Sequence, residues 1–295
     1  MRCFLAGSKA LSVAVLDILI DEGHDVIGVM SRDHEKNMQT WMNELGHPSL
    51  KKRAQKLNIP VYEKVSLNSS EMLYKLSEMN LDIIFSTFWG EIIKSPVLLL
   101  PKLGCINLHS AYLPLNQGSF PMAWAIINGE PFAGVTIHRM SNGVDDGHII
   151  SQIKVPIEEN ETGKSIYKKV TAAGEKLFKE SLPKIAKNNF ILKPQQSDIS
   201  TYNPRGIPYG GQTNPYWAEK EKKRFKNALT FPPFENLLED VPPLLKGYTE
   251  PKARIMIGFD CDRPRGIYAF SKEGKSKGNI KIKSLEAIRE TLNQL

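Results

Sequence analysis

Cysteine is scarce in this chain: Cys3, Cys105 and Cys261 are the three in 295 residues. Three widely separated thiols build neither a disulfide framework nor a zinc knuckle, so the composition fits a reducing, cytoplasmic setting. Long apolar runs are missing too, since stretches such as 13–16 and 97–100 fall far short of the roughly 20 residues that span a bilayer. The first residues carry no basic leader, long apolar segment and small-residue cleavage site, so no export signal is visible. Neither a full Gly-x-Gly-x-x-Gly run nor a Walker motif occurs, which argues against dinucleotide and P-loop nucleotide chemistry.

What is present is ordinary globular composition, 41% hydrophobic and 24% charged, enough for one large domain or a large and a small one. The net charge of +7 is unevenly held. Residues 1–150 carry 13 basic against 15 acidic side chains and residues 151–295 carry 26 against 17, so the halves stand at −2 and +9. A basic half can face nucleic acid or another anion. Lysines outnumber arginines there and aromatics are not interleaved, which favours a solvated helix face and a basic tail.

The N-terminal pattern alternates strand and helix. Residues 2–6 read as a buried strand, Gly7-Ser8 as a turn, and Leu16, Leu19 and Ile20 as one face of a helix that Gly23 ends before a second strand at 26–30. Helices at 49–57 and 70–79 and strands at 61–62 and 83–85 continue the pattern, which predicts a doubly wound, mostly parallel α/β sheet. Residues 33–48 read as a surface excursion with a short helix near 38–45. A strand at 105–109, a turn-rich loop to 119, a helix at 121–128, strands at 134–139 and 149–155 and a helix from Thr162 to about residue 188 complete a domain over 1–203. Prolines and glycines mark a linker over 204–241. Residues 242–295 read as a small β-rich unit, with strands near 254–259, 266–270 and 278–283 and a helix from Leu285.

Asn107 and His109 are two apart on a strand, so both project to one face at its carboxyl end, where ligands bind in an open α/β sheet. A carboxamide can meet a developing oxyanion and an imidazole can move protons near neutral pH; equally, the pair can satisfy loop backbone. Asp145, in the turn that also holds Asp146, can orient such a histidine or be a solvated turn residue. His138 and His148 lack the spacing and partners of a zinc site, so no metal is expected. Phe88-Trp89-Gly90, just past a strand, suits a flat heterocycle or core packing.

The ordered set Gly104 to His109, Leu113-Pro114, Gly118, Pro121, Trp124 to Ile126, Asn128-Gly129-Glu130, Gly134-Val135-Thr136 and Gly143 to Gly147 closely resembles the 10-formyltetrahydrofolate-dependent formyltransferases. The resemblance covers roughly residues 1–235. It implies the Rossmann-like formyltransferase fold, a catalytic trio of Asn107, His109 and Asp145, and 10-formyltetrahydrofolate as co-substrate, held by Phe88, Trp89, Gly90, Glu91, Met140, Asn142, Gly143 and Val144. Two positions depart from the family pattern: Gln117 stands where an arginine is usual, and His148 where a second acid is common. The segments 112–124 and 201–211 are more similar to the nucleotide-sugar N-formyltransferases than to the methionyl-tRNA enzymes. A nucleotide-linked amino sugar is therefore the expected acceptor, contacted by Lys9, Tyr112, Asn116 and Gln117. Initiator tRNA, hydroxyornithine and water, the last giving a hydrolase, stay open as alternatives. Residues 224–234 resemble the helix and Pro-aromatic turn that close the family's catalytic region, and 242–295 are left with homodimer contact or substrate capping as roles.

Overall fold

The computed structural model describes residues 1–35, 47–214 and 216–230, together with three short strands further on. The helix expected near 38–45, residues 231–234 of the closing turn and the helix expected from Leu285 lie outside the described residues. The chain divides into two units, Met1–Asp240 and Val241–Leu295.

The first unit is built on a seven-stranded sheet. Its strands are β1 (Arg2–Gly7), β2 (Asp25–Ser31), β3 (Val61–Tyr62), β4 (Ile83–Thr87), β5 (Cys105–His109), β7 (Phe132–Arg139) and β8 (Ile149–Pro156), in the order β3-β2-β1-β4-β5-β7-β8. The first five are parallel, and β7 and β8 add antiparallel to β5 and to each other. Between β1 and β4 the winding reverses, which opens a crevice at the carboxyl edge.

Strand alternation sorts the core. Cys3 and Leu5 of β1 join one apolar layer while Phe4 and Ala6 join the other; on β4, Ile83 and Phe85 oppose Ile84 in the same way. The larger layer holds α1 (Lys9–Asp21), α2 (Leu50–Lys56), α5 (Pro121–Ile127) and α6 (Gly163–Ala186), with Phe85 packed edge-on to Phe178 at 5.2 Å. The smaller layer lies under α3 (Ser70–Glu78) and α4 (Ser95–Leu98). Thr162 and Ser165 form a capping box at the start of α6, satisfying amide groups that the first turn leaves open.

Two features went unread in the sequence. One is the single-turn helix α4, whose four residues are too few to display a period. The other is a two-stranded parallel pair between β6 (Gln117–Gly118) and β9 (Tyr202–Asn203), which ties the end of the expected first domain, just before the linker, to the loop after β5. α7 (Glu219–Ala228) then packs back on the sheet unit: Phe225 is fully buried, its ring centre 5.2 Å from that of Trp217, and Tyr209 packs tilted against Trp124 and edge-on to Trp217.

In the second unit β10 (Ile255–Met256), β11 (Ile267–Phe270) and β12 (Ser276–Ile280) form a three-stranded antiparallel sheet, with Ile255 opposite Ala269 and Ile267 opposite Ile280.

Candidate active site

At the carboxyl edge of the sheet lies a cleft of about 150 Å³. Trp89, Gly90 and Glu91 form one wall, Met140, Ser141, Gly143 and Val144 another, and Asn107 and Asp145 the floor. Gly118, Ser119, Tyr202 and Arg205 line it from the side that β6 and β9 hold together.

Asn107 reaches this floor because Leu108, its neighbour in β5, takes the core face. Its Nδ2 donates to Asp145 Oδ1 at 3.2 Å. Asp145 sits at φ 52°, a left-handed conformation that Asp tolerates better than most residues and that turns its carboxylate back toward the sheet. The other oxygen, Oδ2, accepts from the Gly118 backbone N–H at 3.0 Å and lies 3.5 Å from His109 Nδ1. Burial by itself raises this carboxyl's pKa; electrostatic attraction to His109, the hydrogen bond and attraction to His138 and the Gly118 N–H outweigh it, so Asp145 is held well below the ordinary carboxylate range.

His109 stands behind the carboxylate and not on the cleft wall, 7% exposed. Its Nε2 is 2.9 Å from the Asn116 carbonyl oxygen, so this nitrogen donates while Nδ1 faces Asp145. Asn116 is at φ 59°, and its buried carboxamide donates to both oxygens of Glu130 at 3.0 and 2.8 Å. Its Oδ1 accepts from Asn203 Nδ2 at 2.9 Å. Asn116 therefore shapes the loop that seats His109, and its side chain does not reach the cleft.

The other residues expected to hold an acceptor divide similarly. Gln117 Nε2 donates to Gln195 Oε1 at 3.1 Å and to the Asp145 carbonyl at 3.4 Å, bracing the loop from behind. Tyr112 packs on Phe132 at 5.5 Å, at the far end of β7 from His138. The Lys9 ammonium lies 4.8 Å from the Phe88 ring centre, away from the cleft lining, and burial together with the charge of Arg32 lowers its pKa to about 8. None of the four lines the cleft.

Of the eight residues expected around the co-substrate, six line the cleft: Trp89, Gly90, Glu91, Met140, Gly143 and Val144. Phe88 is turned beneath it toward Lys9 and Tyr167, and Asn142 is engaged by the Ser95 hydroxyl. Glu91 spends its carboxylate on the Leu67 N–H at 3.1 Å, Asn68 Nδ2 at 2.7 Å and the Ser66 hydroxyl, so it offers the cleft mainly backbone. The indole nitrogen of Trp89 is buried with no hydrogen-bond partner among the described residues. An unpartnered donor in an aromatic wall suits a flat, acceptor-rich heterocycle. Among the described residues no His/Cys/Asp/Glu group has the makings of a metal site, and no helix is long and apolar enough to cross a membrane.

Among the residues not expected at the site are Tyr202 and Arg205, which line the cleft, and two that hold its floor from behind. His138, set aside above with the metal question, is 2% exposed and lies directly opposite Asn107 in the β5–β7 register. Its signal was a buried strand that repeats polar residues on one face, Thr136 and His138. Gln195 donates through Nε2 to the carbonyls of Asp145 at 2.7 Å and Gly147 at 2.8 Å; as a coil residue 50 positions from Asp145, it offered no signal.

A family model described as formyl transferase matches residues 2–182. The bifunctional polymyxin resistance protein ArnA of Wigglesworthia glossinidia brevipalpis is 36% identical over 198 residues, 66% of this chain and 29% of that protein. A methionyl-tRNA formyltransferase of Staphylococcus aureus is 37% identical over 202 residues, 68% of this chain and 64% of its own length. The chain thus matches less than two thirds of the length of these curated relatives. Among solved structures, WlaRD, a sugar 3N-formyl transferase determined with dTDP and 5-N-formyl-THF, aligns with a TM-score of 0.65 at 24% identity, covering 95% of this chain and 99% of that one. An N-formyltransferase from Helicobacter canadensis in complex with folinic acid and dTDP-3-aminofucose aligns at 0.64 and 22% identity, covering 94% and 97%. At these identities the likeness is one of fold.

Proposed function

The chain belongs to the formyl transferase family, and from that premise we propose that it transfers a formyl group from 10-formyltetrahydrofolate to the primary amine of a nucleotide-linked amino sugar. The observation that carries this reading is the floor of the cleft, where Asn107 and an ionised Asp145 stand side by side with His109 behind them. The walls suit the flat ring of the formyl donor: Trp89, Gly90 and Glu91 face Met140, Gly143 and Val144 across the cleft, and the buried Trp89 N–H has no partner of its own among the described residues.

The groups then divide the work. The Asn107 carboxamide faces the formyl oxygen, which gains negative charge as the amine adds to the formyl carbon. His109, directly or through a water, takes the proton the amine loses at Nδ1, the nitrogen not bonded to the Asn116 carbonyl, while Asp145, between that nitrogen and the cleft, orients and supports the imidazole. That proton ends on the nitrogen the formyl group leaves, so the products are a formamide and the unformylated folate. No side-chain nucleophile is required.

The sugar acceptor rests on the residue pattern of segments 112–124 and 201–211. It also rests on a fold shared over nearly the whole chain with proteins solved beside dTDP or dTDP-3-aminofucose. Tyr202 and Arg205 line the cleft, and the Arg205 guanidinium, one of whose N–H groups donates to the Gly90 carbonyl at 2.5 Å, supplies a cation for a phosphate. A second reading, charged initiator tRNA, is favoured by the methionyl-tRNA formyltransferases among the curated relatives and by the +9 C-terminal half. The test is to incubate the protein with 10-formyltetrahydrofolate and separate panels of nucleotide amino sugars, charged initiator tRNA and hydroxyornithine, following folate absorbance and acceptor mass. The sugar reading expects one added formyl group on a nucleotide sugar. Formylation of tRNA or hydroxyornithine alone overturns the acceptor, and formate release independent of any amine overturns transfer itself.

A further inference from the structure

We propose that His138 is a positioning residue whose protonation state sets which end of the Asn107 carboxamide meets the reacting formyl oxygen. The inference rests on the formyl-transfer reading above and adds to it a residue that the trio does not contain.

His138 is an imidazole buried in the sheet, and a buried ring must find partners for both nitrogens. Nδ1 lies 3.2 Å from the Arg139 carbonyl oxygen, an acceptor, so this nitrogen carries the hydrogen. In the neutral ring Nε2 then has a lone pair, and Asn107 Nδ2 donates to it at 3.2 Å. The second hydrogen of the same amide goes to Asp145 Oδ1, also at 3.2 Å. Both hydrogens of Asn107 are thus spent inside the protein. What remains for the cleft is Oδ1, an acceptor, which serves the incoming amine and repels an oxyanion.

A proton on Nε2 reverses this. An imidazolium N–H facing an amide N–H is repulsive; a half-turn of the Asn107 amide removes that conflict and gives up the bond to Asp145 Oδ1, bringing two oxygens together that the shared imidazolium N–H must bridge. Oδ1 then accepts from His138 Nε2, the imidazolium bridges to Asp145 Oδ1 3.5 Å away, and the NH2 group is released toward the cleft as a donor for the charged oxygen. The titratable groups facing His138 are Asp145, from the loop after β7, and His109, from β5, whose ring is edge-on at 6.5 Å. β8 sets Ile149 opposite it, and the Arg139 guanidinium is directed away, to the Leu103 carbonyl. The proton comes from solvent, and the switch forms or breaks no covalent bond to carbon.

The test uses the full-length protein in two arms. In the first, without substrate, the Asn107 side-chain amide signals of ¹⁵N-labelled protein, assigned by their loss in Asn107→Ala, are followed against pH beside the His138 ring. They are expected to move with the His138 titration and to stop doing so in His138→Leu. In the second arm, His138→Leu is expected to lower kcat by about 10- to 100-fold with KM for the formyl donor changed less than about threefold. His138→Gln, a neutral group able to donate or accept, is expected to recover most of kcat while losing one limb of the pH profile. Should His138→Leu fail to fold, judged by its melt, the glutamine variant and the first arm decide. Asn107 signals indifferent to His138, or a His138→Gln enzyme with the wild-type pH profile, would overturn the proposal. A wild-type protein that formylates no acceptor defeats the transfer reading instead, and leaves the first arm to judge the coupling.

Discussion

Replacing Asp145 by asparagine separates the charge of the cleft floor from its shape. Asparagine keeps the volume and tolerates φ 52°, so the loop bears no new backbone strain. Its amide cannot reproduce the bonding, because one oxygen accepts from the Gly118 N–H and the other from Asn107 Nδ2. Whichever way the new side chain turns, an NH2 group meets another donor. A hydrogen bond to a charged group contributes about 1.5–3 kcal/mol, and leaving its partner unmatched adds about 1 kcal/mol beside a cleft that water can enter, so Asp145→Asn is expected to lose about 2–4 kcal/mol at pH 7. For a unit of this size that is about 5–15 °C in Tm. Asp145→Ala adds about 1 kcal/mol more, since alanine tolerates the positive φ poorly. The pH dependence has a definite sign. The folded carboxyl titrates below its unfolded value of about 3.9, so its contribution is present above that value and is lost only as pH falls through the lower, folded one. Urea unfolding of wild type and variant should therefore show a deficit that does not shrink between pH 7 and 5. A gap that closes over that interval refutes the claim that Asp145 is held ionised by its neighbours.

Other substitutions test the supports of the site. Gly118→Ala places a Cβ 2.3 Å from the Asn203 carbonyl oxygen at φ 90°, so it should break the β6–β9 pair, lower Tm by several degrees and cut turnover; an unchanged melt sinks that account. Phe225→Ala empties a fully buried position on α7 and should cost about 3–5 kcal/mol, measured by denaturant unfolding, if the closing helix is integral to the sheet unit. In Lys9→Met a charge that burial and Arg32 disfavour is removed. Because the folded ammonium titrates near 8, below its unfolded value of about 10.4, the charge opposes folding at pH 7 and ceases to as pH rises beyond both. The variant should then melt above wild type at pH 7 and level with it at pH 11, and equal melts at pH 7 contradict the argument.

The sheet could be read in advance because its strands are buried on both faces and leave continuous apolar runs, as in Cys3 to Ala6 and Ile83 to Phe85. The Asn107–His109 pair could be read because polar residues at the end of such a strand have no packing use. Local signals do not give pairing. That His138 faces Asn107 follows from the register of antiparallel β7 on β5, and nothing between residues 107 and 138 specifies that register before the strands meet. Three of the four expected acceptor contacts that do not line the cleft share one cause. Tyr112, Asn116 and Gln117 belong to a turn-rich loop, and polar loop residues serve either a ligand or the loop's own backbone. The side chains of Glu130, Asn203 and Gln195, none of them in that loop, engage the latter two within the protein.

The same contacts show where the site's rigidity originates. The loops after β5 and β7 place Asn116, Gly118 and Asp145 at positive φ, conformations that hold only when the surroundings over-determine them. The family match ends at residue 182, yet the restraints come from beyond it. Gln195 holds the Asp145 and Gly147 carbonyls, Thr201 bonds Asn116 and Gln117 through its hydroxyl and carbonyl, and Asn203 secures Asn116 and Ser119. Tyr202 and Arg205, from this same segment, line the cleft. One stretch of chain, 195–205, thus both fixes the carboxylate and lines the cleft, so changes there should alter turnover and acceptor choice together, whereas changes at Trp89 should act on the formyl donor alone.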